Sequence, residues 1–248
     1  MIEVRDLKKS FGSHKILDGV SFTIDKGESV VIIGRSGGGK SVLLKHLIGL
    51  LKPDEGQVLI DGEDILPMDE RELLRIRRKF GMLFQGAALF DSMTVAENVG
   101  FAFRRERAVP AAQLKKKIAD VLEMVDLPGT EDKKPSELSG GMRKRVGLAR
   151  AIIYEPQIVL YDEPTTGLDP IVSDSIDQLI ARVRDKLDVT TVVVTHDMRS
   201  ARRLGQRILM LHEKKIYATG TAEEIFNSKD PIVHRFIEGV SDPKAHDF

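Results

Sequence analysis

The stretch Gly34-Arg35-Ser36-Gly37-Gly38-Gly39-Lys40-Ser41 constrains this chain more than any other. Ser29-Val30-Val31-Ile32-Ile33 runs up to it, an apolar, β-branched segment of the kind that forms a buried parallel strand. Val42, Leu43, Leu44, Leu47, Ile48 and Leu51 follow at helical spacing. The octapeptide is therefore expected between a strand and a helix start, and it fits the pattern G-x-x-x-x-G-K-[ST] without a mismatch. Glycines let successive backbone N–H groups turn inward on a polyphosphate. The helix start adds unpaired donors and the positive end of its dipole. Lys40 is placed to reach the β- and γ-phosphates, and the Ser41 hydroxyl to bind Mg²⁺.

The length of 248 residues allows one large domain, or a domain with a subdomain. Lys+Arg and Asp+Glu both number 38. Such a balance argues against nucleic acid as the main partner. With no cysteine, disulfides, thiolate catalysis and cysteine-based metal sites are excluded. Met1 to Asp6 lacks the apolar core of a signal peptide. No apolar run approaches the roughly 20 residues of a membrane span. A soluble, cytosolic chain is expected.

Alternation predicts strands over Ile2 to Leu7 and Ile16 to Ile24, with Phe11-Gly12 in a polar turn between them. Phe11 either fills a corner of the core or offers its face to a nucleobase, and its position suits both. Gln57 to Asp61 reads as a strand ending in the turn Asp61-Gly62. Glu70 to Lys79 reads as a charged helix with Leu73, Leu74 and Ile76 on its apolar side. Phe80 to Phe84 reads as a strand ending at Gln85. A glutamine there is ordinarily a solvated loop residue; in a chain with this loop the same place suits Mg²⁺ or an attacking water.

Residues 86–137 carry no strand-like run, and helices are expected over Val95 to Phe103 and Leu114 to Leu127. Arg104, Arg105 and Arg107, and Lys115-Lys116-Lys117, read as solvated faces. Leu138-Ser139-Gly140-Gly141-Met142 opens another helix, with Ser139 as its cap. Arg143-Lys144-Arg145 then places cations near a helix N-terminus, at a cost of roughly 0.3–1 kcal/mol each. An anion bound there would offset that cost. Ile158 to Glu163 is an apolar strand ending in two carboxylates, Asp162 suited to Mg²⁺ and Glu163 to polarising water. Pro170 suits the first position of a helix reaching Leu187. Thr190 to Thr195 is a strand with His196 just past its end, where α/β sheets bind ligands. Ile208 to Leu211 and Lys215 to Ala218 pair as a hairpin. Thr221-x-x-Glu224 is a capping box, and Asp230-Pro231 opens a helix that Gly239 ends.

In this order, the loop, Gln85, Leu138-Ser139-Gly140-Gly141, Asp162-Glu163, Asp169 and His196 resemble the ATP-binding cassette ATPase family along nearly the whole chain. The resemblance implies an α/β P-loop NTPase core, a mostly parallel sheet flanked by helices. An antiparallel β subdomain and an inserted α-helical subdomain would accompany it. Residues 1–240 would form a single ATPase domain, with core and β subdomain in 1–85 and 138–220 and the helical subdomain in 86–137. Helices and a tail would follow in 221–248. ATP and Mg²⁺ are the implied ligands of a head-to-tail homodimer. ATP would lie between one subunit's Gly34-Arg35-Ser36-Gly37-Gly38-Gly39-Lys40-Ser41-Val42 and the other's Ser139-Gly140-Gly141. Phe11 would stack on adenine, Glu163 activate water, His196 contact the γ-phosphate and Asp169 lie at the dimer seam. Ser41, Gln85 and Asp162 would hold the metal.

Three departures narrow the resemblance. Met142 replaces the usual Gln, Val42 replaces a common Thr and so offers only its backbone N–H, and Tyr161 replaces an aliphatic residue. With Phe84-Gln85-Gly86-Ala87-Ala88-Leu89-Phe90-Asp91, these features are similar to MlaF-like ATPases. That likeness implies lipid transport across the bacterial envelope, from the cytoplasmic face of the inner membrane. An MlaE-type permease and an MCE-domain protein would be partners, and the residues after Gly239 would grip the second subunit. The ATPase of an amino-acid or metal-chelate importer, or a cassette without transport, is the alternative.

Overall fold

The computed structural model describes residues 2–106 and 109–240. Arg107, the side chains of Arg104 and Arg105, and the tail Ser241 to Phe248 lie outside the described residues. The fold is α/β and divides into two compact units. One holds the chain up to Asp69 and from Val193 onward; the other is Glu70–Val192.

The first unit opens with β1 (Ile2–Phe11) and β2 (His14–Ile24), followed by β3 (Ser29–Ile33) and α1 (Lys40–Leu47). β4 (Glu55–Ile60) and β5 (Glu63–Asp64) come next. An antiparallel sheet takes the order β2-β1-β4-β5. Strict alternation along β1 would bury Asp6. Instead the register shifts between Val4 and Leu7, and Asp6 takes φ +45°. That bulge inserts one extra residue, and Leu7 rather than Asp6 enters the core.

The second unit contains α2 (Glu70–Arg77), β6 (Phe80–Leu83), α3 (Val95–Val99), α4 (Phe101–Glu106) and α5 (Ala111–Met124). It continues through α6 (Gly140–Ile152), β7 (Ile158–Asp162) and α7 (Pro170–Leu187). β8 (Thr190–Thr195) leaves this unit and ends in the first. β6 and β7 pair in parallel, from Phe80 opposite Ile158 to Leu83 opposite Tyr161. Two expectations are corrected here. Leu74 does not join the apolar side of α2 but is 57% exposed, because it lies about 100° around the helix from Leu73. The helix expected over Val95 to Phe103 breaks at Gly100, where Ile118 packs so close that an added Cβ would meet it at 3.0 Å.

Back in the first unit are α8 (Met198–Leu204), β9 (Arg207–His212), β10 (Lys215–Thr221), α9 (Ala222–Phe226) and α10 (Pro231–Glu238). β3 runs parallel to β9, and β10 closes antiparallel on β9. Every residue of β3 is buried. Fully burying a Val or Ile stabilises by about 1.5–3 kcal/mol, so its four aliphatic residues anchor the strand. The capping box at Thr221 and Glu224 forms as the sequence indicates, and Gly239 ends α10 at φ +66°. α10 packs on α9 and buries Val233.

A bidentate ion pair ties β9 to the turn between β2 and β3. Arg207 Nε donates to Glu28 Oε1 at 2.6 Å, and Nη2 donates to Oε2 at 2.9 Å and to the Thr23 carbonyl at 2.5 Å. The Asp25 N–H also donates to Glu28 Oε2. Burial works to raise the Glu28 carboxyl, but the Arg207 hydrogen bond, the Asp25 N–H and the Arg207 charge together hold it below its ordinary value of 4.5. Arg207→Ala is expected to cost about 1–3 kcal/mol at pH 7, read by urea denaturation. A carboxylate lowered in the folded state stabilises above its unfolded pKa and stops doing so as pH falls through the folded value. The stability gap between the native chain and Glu28→Gln should therefore close as pH drops below about 4.5.

Candidate active site

The first unit carries the phosphate-type loop between β3 and α1, as its flanking residues dictate. Gly37 and Gly39 take φ +73° and +98°, and the Gly38 N–H donates to the Arg35 carbonyl at 3.0 Å. Gly39 caps α1 without any side chain, so the donors of its first turn face the loop. Lys40 is 4% exposed, and its Nζ donates to the carbonyls of Gly34 at 2.8 Å and Arg35 at 3.0 Å. The ammonium thus spans the loop from within. Ser41 and Val42 are half-buried in the first turn of α1, while Arg35, Ser36 and Gly37 face outward. A cavity of about 190 Å³ opens beside the loop, lined by His14, Lys15, Arg35, Gly37, Gly38 and Lys214 among others. Backbone donors, a helix start and several cations around one hollow suit a polyphosphate.

Phe11 ends β1 with 49% of its surface exposed, and Lys9 Nζ lies 5.5 Å from its ring centroid. It is therefore not a core residue, and its exposed ring remains free to stack. His196 is exposed just past β8.

The second unit gathers the carboxylates and the glutamine. Asp162 ends β7 and Glu163 follows it, only 5% and 7% exposed. Glu163 takes φ +47°, a left-handed backbone that a non-glycine residue adopts at a cost of about 1–3 kcal/mol. Thr166 Oγ1 donates to its Oε2 at 3.3 Å. Gln85 lies exposed past β6, the parallel neighbour of β7. Ser139 caps α6, its Oγ accepting the Met142 N–H at 3.2 Å. A Cβ at Gly141 would meet Val172 Cγ1 at 2.7 Å, so this turn lies against the start of α7. There Asp169 Oδ1 accepts the N–H groups of Ile171 and Val172, each at 3.0 Å.

The cations that follow Ser139 need no anion to explain them, contrary to the sequence-based argument. Arg143 donates to the Leu138 carbonyl at 2.7 Å, and Arg145 to the Val125 carbonyl, Asp126 and Ser175 Oγ. Lys144 donates to the carbonyls of Gln85 and Glu163. Protein oxygens thus satisfy the positive charge whose helix-dipole cost had pointed to a ligand.

Two residues shape this site in ways that sequence reasoning did not read: Arg150, which it passed over, and Lys144, which it took only as a charge near the helix start. Arg150 donates from Nη1 to the Ala88 carbonyl and from Nη2 to the Ala87 carbonyl, both at 2.6 Å. It holds a loop in which Ala87 and Ala88 both take positive φ. The other is Lys144, and a signal for it existed. Its helical neighbours three, four and seven positions on are Gly147, Leu148 and Ala151, so a lysine stands on the apolar face of its helix.

A buried strand, a left-handed glycine loop and a helix start bearing Lys40 and Ser41, with carboxylates ending another parallel strand, define a P-loop nucleoside triphosphatase. A family model described as ABC transporter matches residues 17–166. The chain belongs to the ABC transporter family, whose cassettes hydrolyse ATP. It is 44% identical over 238 residues to the probable ribonucleotide transport ATP-binding protein mkl of Mycobacterium leprae, spanning 96% of this chain and 69% of that one. It is 39% identical over 242 residues to the intermembrane phospholipid transport system ATP-binding protein MlaF of Haemophilus influenzae, spanning 98% and 92%. The dimeric post-hydrolysis structure of the ATP-binding cassette MJ0796, bound to ADP and Pi, matches with a TM-score of 0.81. That match is 35% identical and covers 90% of this chain and 99% of that one.

Gly39→Val tests the loop directly. The new side chain would meet Ile16 Cγ2 at 2.9 Å and Leu17 Cδ2 at 3.1 Å, in a backbone that β-branched residues avoid. Nucleotide titration should show binding weakened more than about tenfold, with melting free energy lowered by about 1–3 kcal/mol.

Proposed function

We propose that this chain is the ATP-hydrolysing subunit of a lipid transporter in the bacterial envelope. The observation that carries the reading is its 39% identity to a phospholipid-transport ATPase over 98% of the chain. In this reading the loop from Gly34 to Val42 wraps the phosphates, with Lys40 as the cation on the β- and γ-phosphates. Phe11 stacks on adenine. Glu163 polarises the attacking water, and His196 contacts the γ-phosphate. Ser139, Gly140 and Gly141 present a hydroxyl and backbone donors to ATP held by a second copy, in a head-to-tail homodimer with Asp169 at its seam. The dimeric state of the related MJ0796 cassette supports that pairing.

Ser41, Gln85 and Asp162 supply hydroxyl, amide and carboxylate oxygens, the hard donors that Mg²⁺ prefers. Bound there, Mg²⁺ would neutralise charge on the β- and γ-phosphates. Among the described residues no helix is long and apolar enough to cross a membrane. The chain acts at the cytoplasmic face of the inner membrane, on a separate MlaE-type permease that works with an MCE-domain protein.

A second reading follows from the mkl relative, whose name specifies ribonucleotide transport. The assembled transporter in proteoliposomes separates the two. Lipid transport predicts ATP-dependent movement of a fluorescent phospholipid and no accumulation of labelled ribonucleotide; the opposite pattern replaces the lipid assignment. For the chemistry, Glu163→Gln should keep ATP binding and slow turnover by roughly two decades or more, while Lys40→Ala abolishes hydrolysis. Wild-type turnover by the glutamine variant would remove Glu163 from its role.

A further inference from the structure

Lys144 lies in the second turn of α6 and is 5% exposed. A buried ammonium is tolerated only where acceptors meet it. Its Nζ donates to the Gln85 carbonyl and, at 3.2 Å, to the Glu163 carbonyl. Burial pushes this lysine's pKa down, and the charges of Asp162 and Glu163 push it back up.

The two carbonyls are not a random pair. Partners in the β6–β7 ladder keep one constant offset, from Phe80 opposite Ile158 to Leu83 opposite Tyr161. Continued two residues past the ladder, the same offset would set Gln85 level with Glu163. The ladder ends at Leu83 and Tyr161. Past it the chain turns sharply on both sides, at Glu163 two residues beyond Tyr161 (φ +47°) and at Ala87 and Ala88 four and five residues beyond Leu83 (φ +59° and +47°). Lys144 bridges the two strands just beyond the end of their ladder.

We propose that Lys144 is a positioning residue for ATP hydrolysis, clamping the main chain of Gln85 to that of Glu163. This rests on the ATPase reading above. A fixed Glu163 carbonyl holds the peptide that follows, and with it the left-handed backbone from which the carboxylate projects. A fixed Gln85 carbonyl holds the start of the loop that Arg150 grips further along. Lys144 itself touches no reacting atom. Removing it leaves the Gly34–Val42 loop intact and lets the Gln85 and Glu163 side chains drift from their working geometry, which lowers kcat rather than ATP affinity.

The test uses the full chain with Lys144→Met, which keeps length and removes donors, and Lys144→Arg, which keeps charge and donors. ATPase kinetics, nucleotide titration and thermal melting are read in parallel, with Glu163→Gln as the inactive control. The Met variant is expected to lose about 10- to 100-fold in kcat, with KM and the ATP dissociation constant within about threefold of the native chain. The Arg variant is expected to recover kcat to within about fivefold. Native kcat in the Met variant overturns the proposal. So does a parallel loss of ATP binding, or an Arg variant as slow as the Met variant. If the Met variant does not melt cooperatively, Lys144→Gln, which keeps a shorter buried donor, takes its place with the same expectations. A native chain that hydrolyses no ATP would overturn the ATPase reading itself, a result distinct from a failure confined to Lys144.

Discussion

β3 leaves none of its five residues exposed, and this burial determines where the loop after it can go. A strand anchored on both faces delivers its last peptide to one place, and α1, with Leu43, Leu44 and Leu47 buried, is anchored in turn. Between two fixed ends the loop has few residues in which to reverse direction. Left-handed glycines are the physical solution, and they turn backbone donors toward a common hollow. Lys40 then fits inside the loop on the carbonyls of Gly34 and Arg35 instead of extending into solvent. The fit of that hollow to a polyphosphate follows from how this unit packs its core.

The second unit reaches the same precision by different means. Glu163, Ala87 and Ala88 hold backbone conformations that their side chains disfavour, each at a cost of about 1–3 kcal/mol. Such conformations persist only where neighbours over-determine them. α6 provides those neighbours: Lys144 and Arg150 bond to the carbonyls of Gln85, Glu163, Ala87 and Ala88. The helix opened by the Ser139 cap thus also braces the turns beside the carboxylates. Long basic side chains suit this task, because their donors reach carbonyls that the ladder between β6 and β7 has stopped pairing.

Most of the element order was legible from periodicity and turn chemistry. β7, α7 and β8 fall within a residue of their expected limits, and the capping box at Thr221 forms as written. The misjudged positions share a cause. The expectations at Leu74 and across Gly100 rest on local apolar spacing, but the outcome turned on packing: Leu74 stays 57% exposed, and Ile118 sits hard against Gly100. Asp6 stays out of the core through a bulge, a change of register that alternation along one strand does not reveal.

By itself the sequence determined the chemistry available: a glycine loop with Lys40 and Ser41, two carboxylates ending an apolar strand, and a capped Ser139 turn. Those signals survive in one dimension because each depends on neighbours within a few residues. Tertiary structure alone decided what the cations after Ser139 do. Lys144 is 59 residues from Gln85 and 19 from Glu163 along the chain. Only the parallel pairing of β6 with β7, and the packing of α6 on β6, bring those carbonyls within reach of one ammonium. Periodicity along α6 marks Lys144 as lying on the apolar face but does not name its partners, since those are set by where folded elements meet.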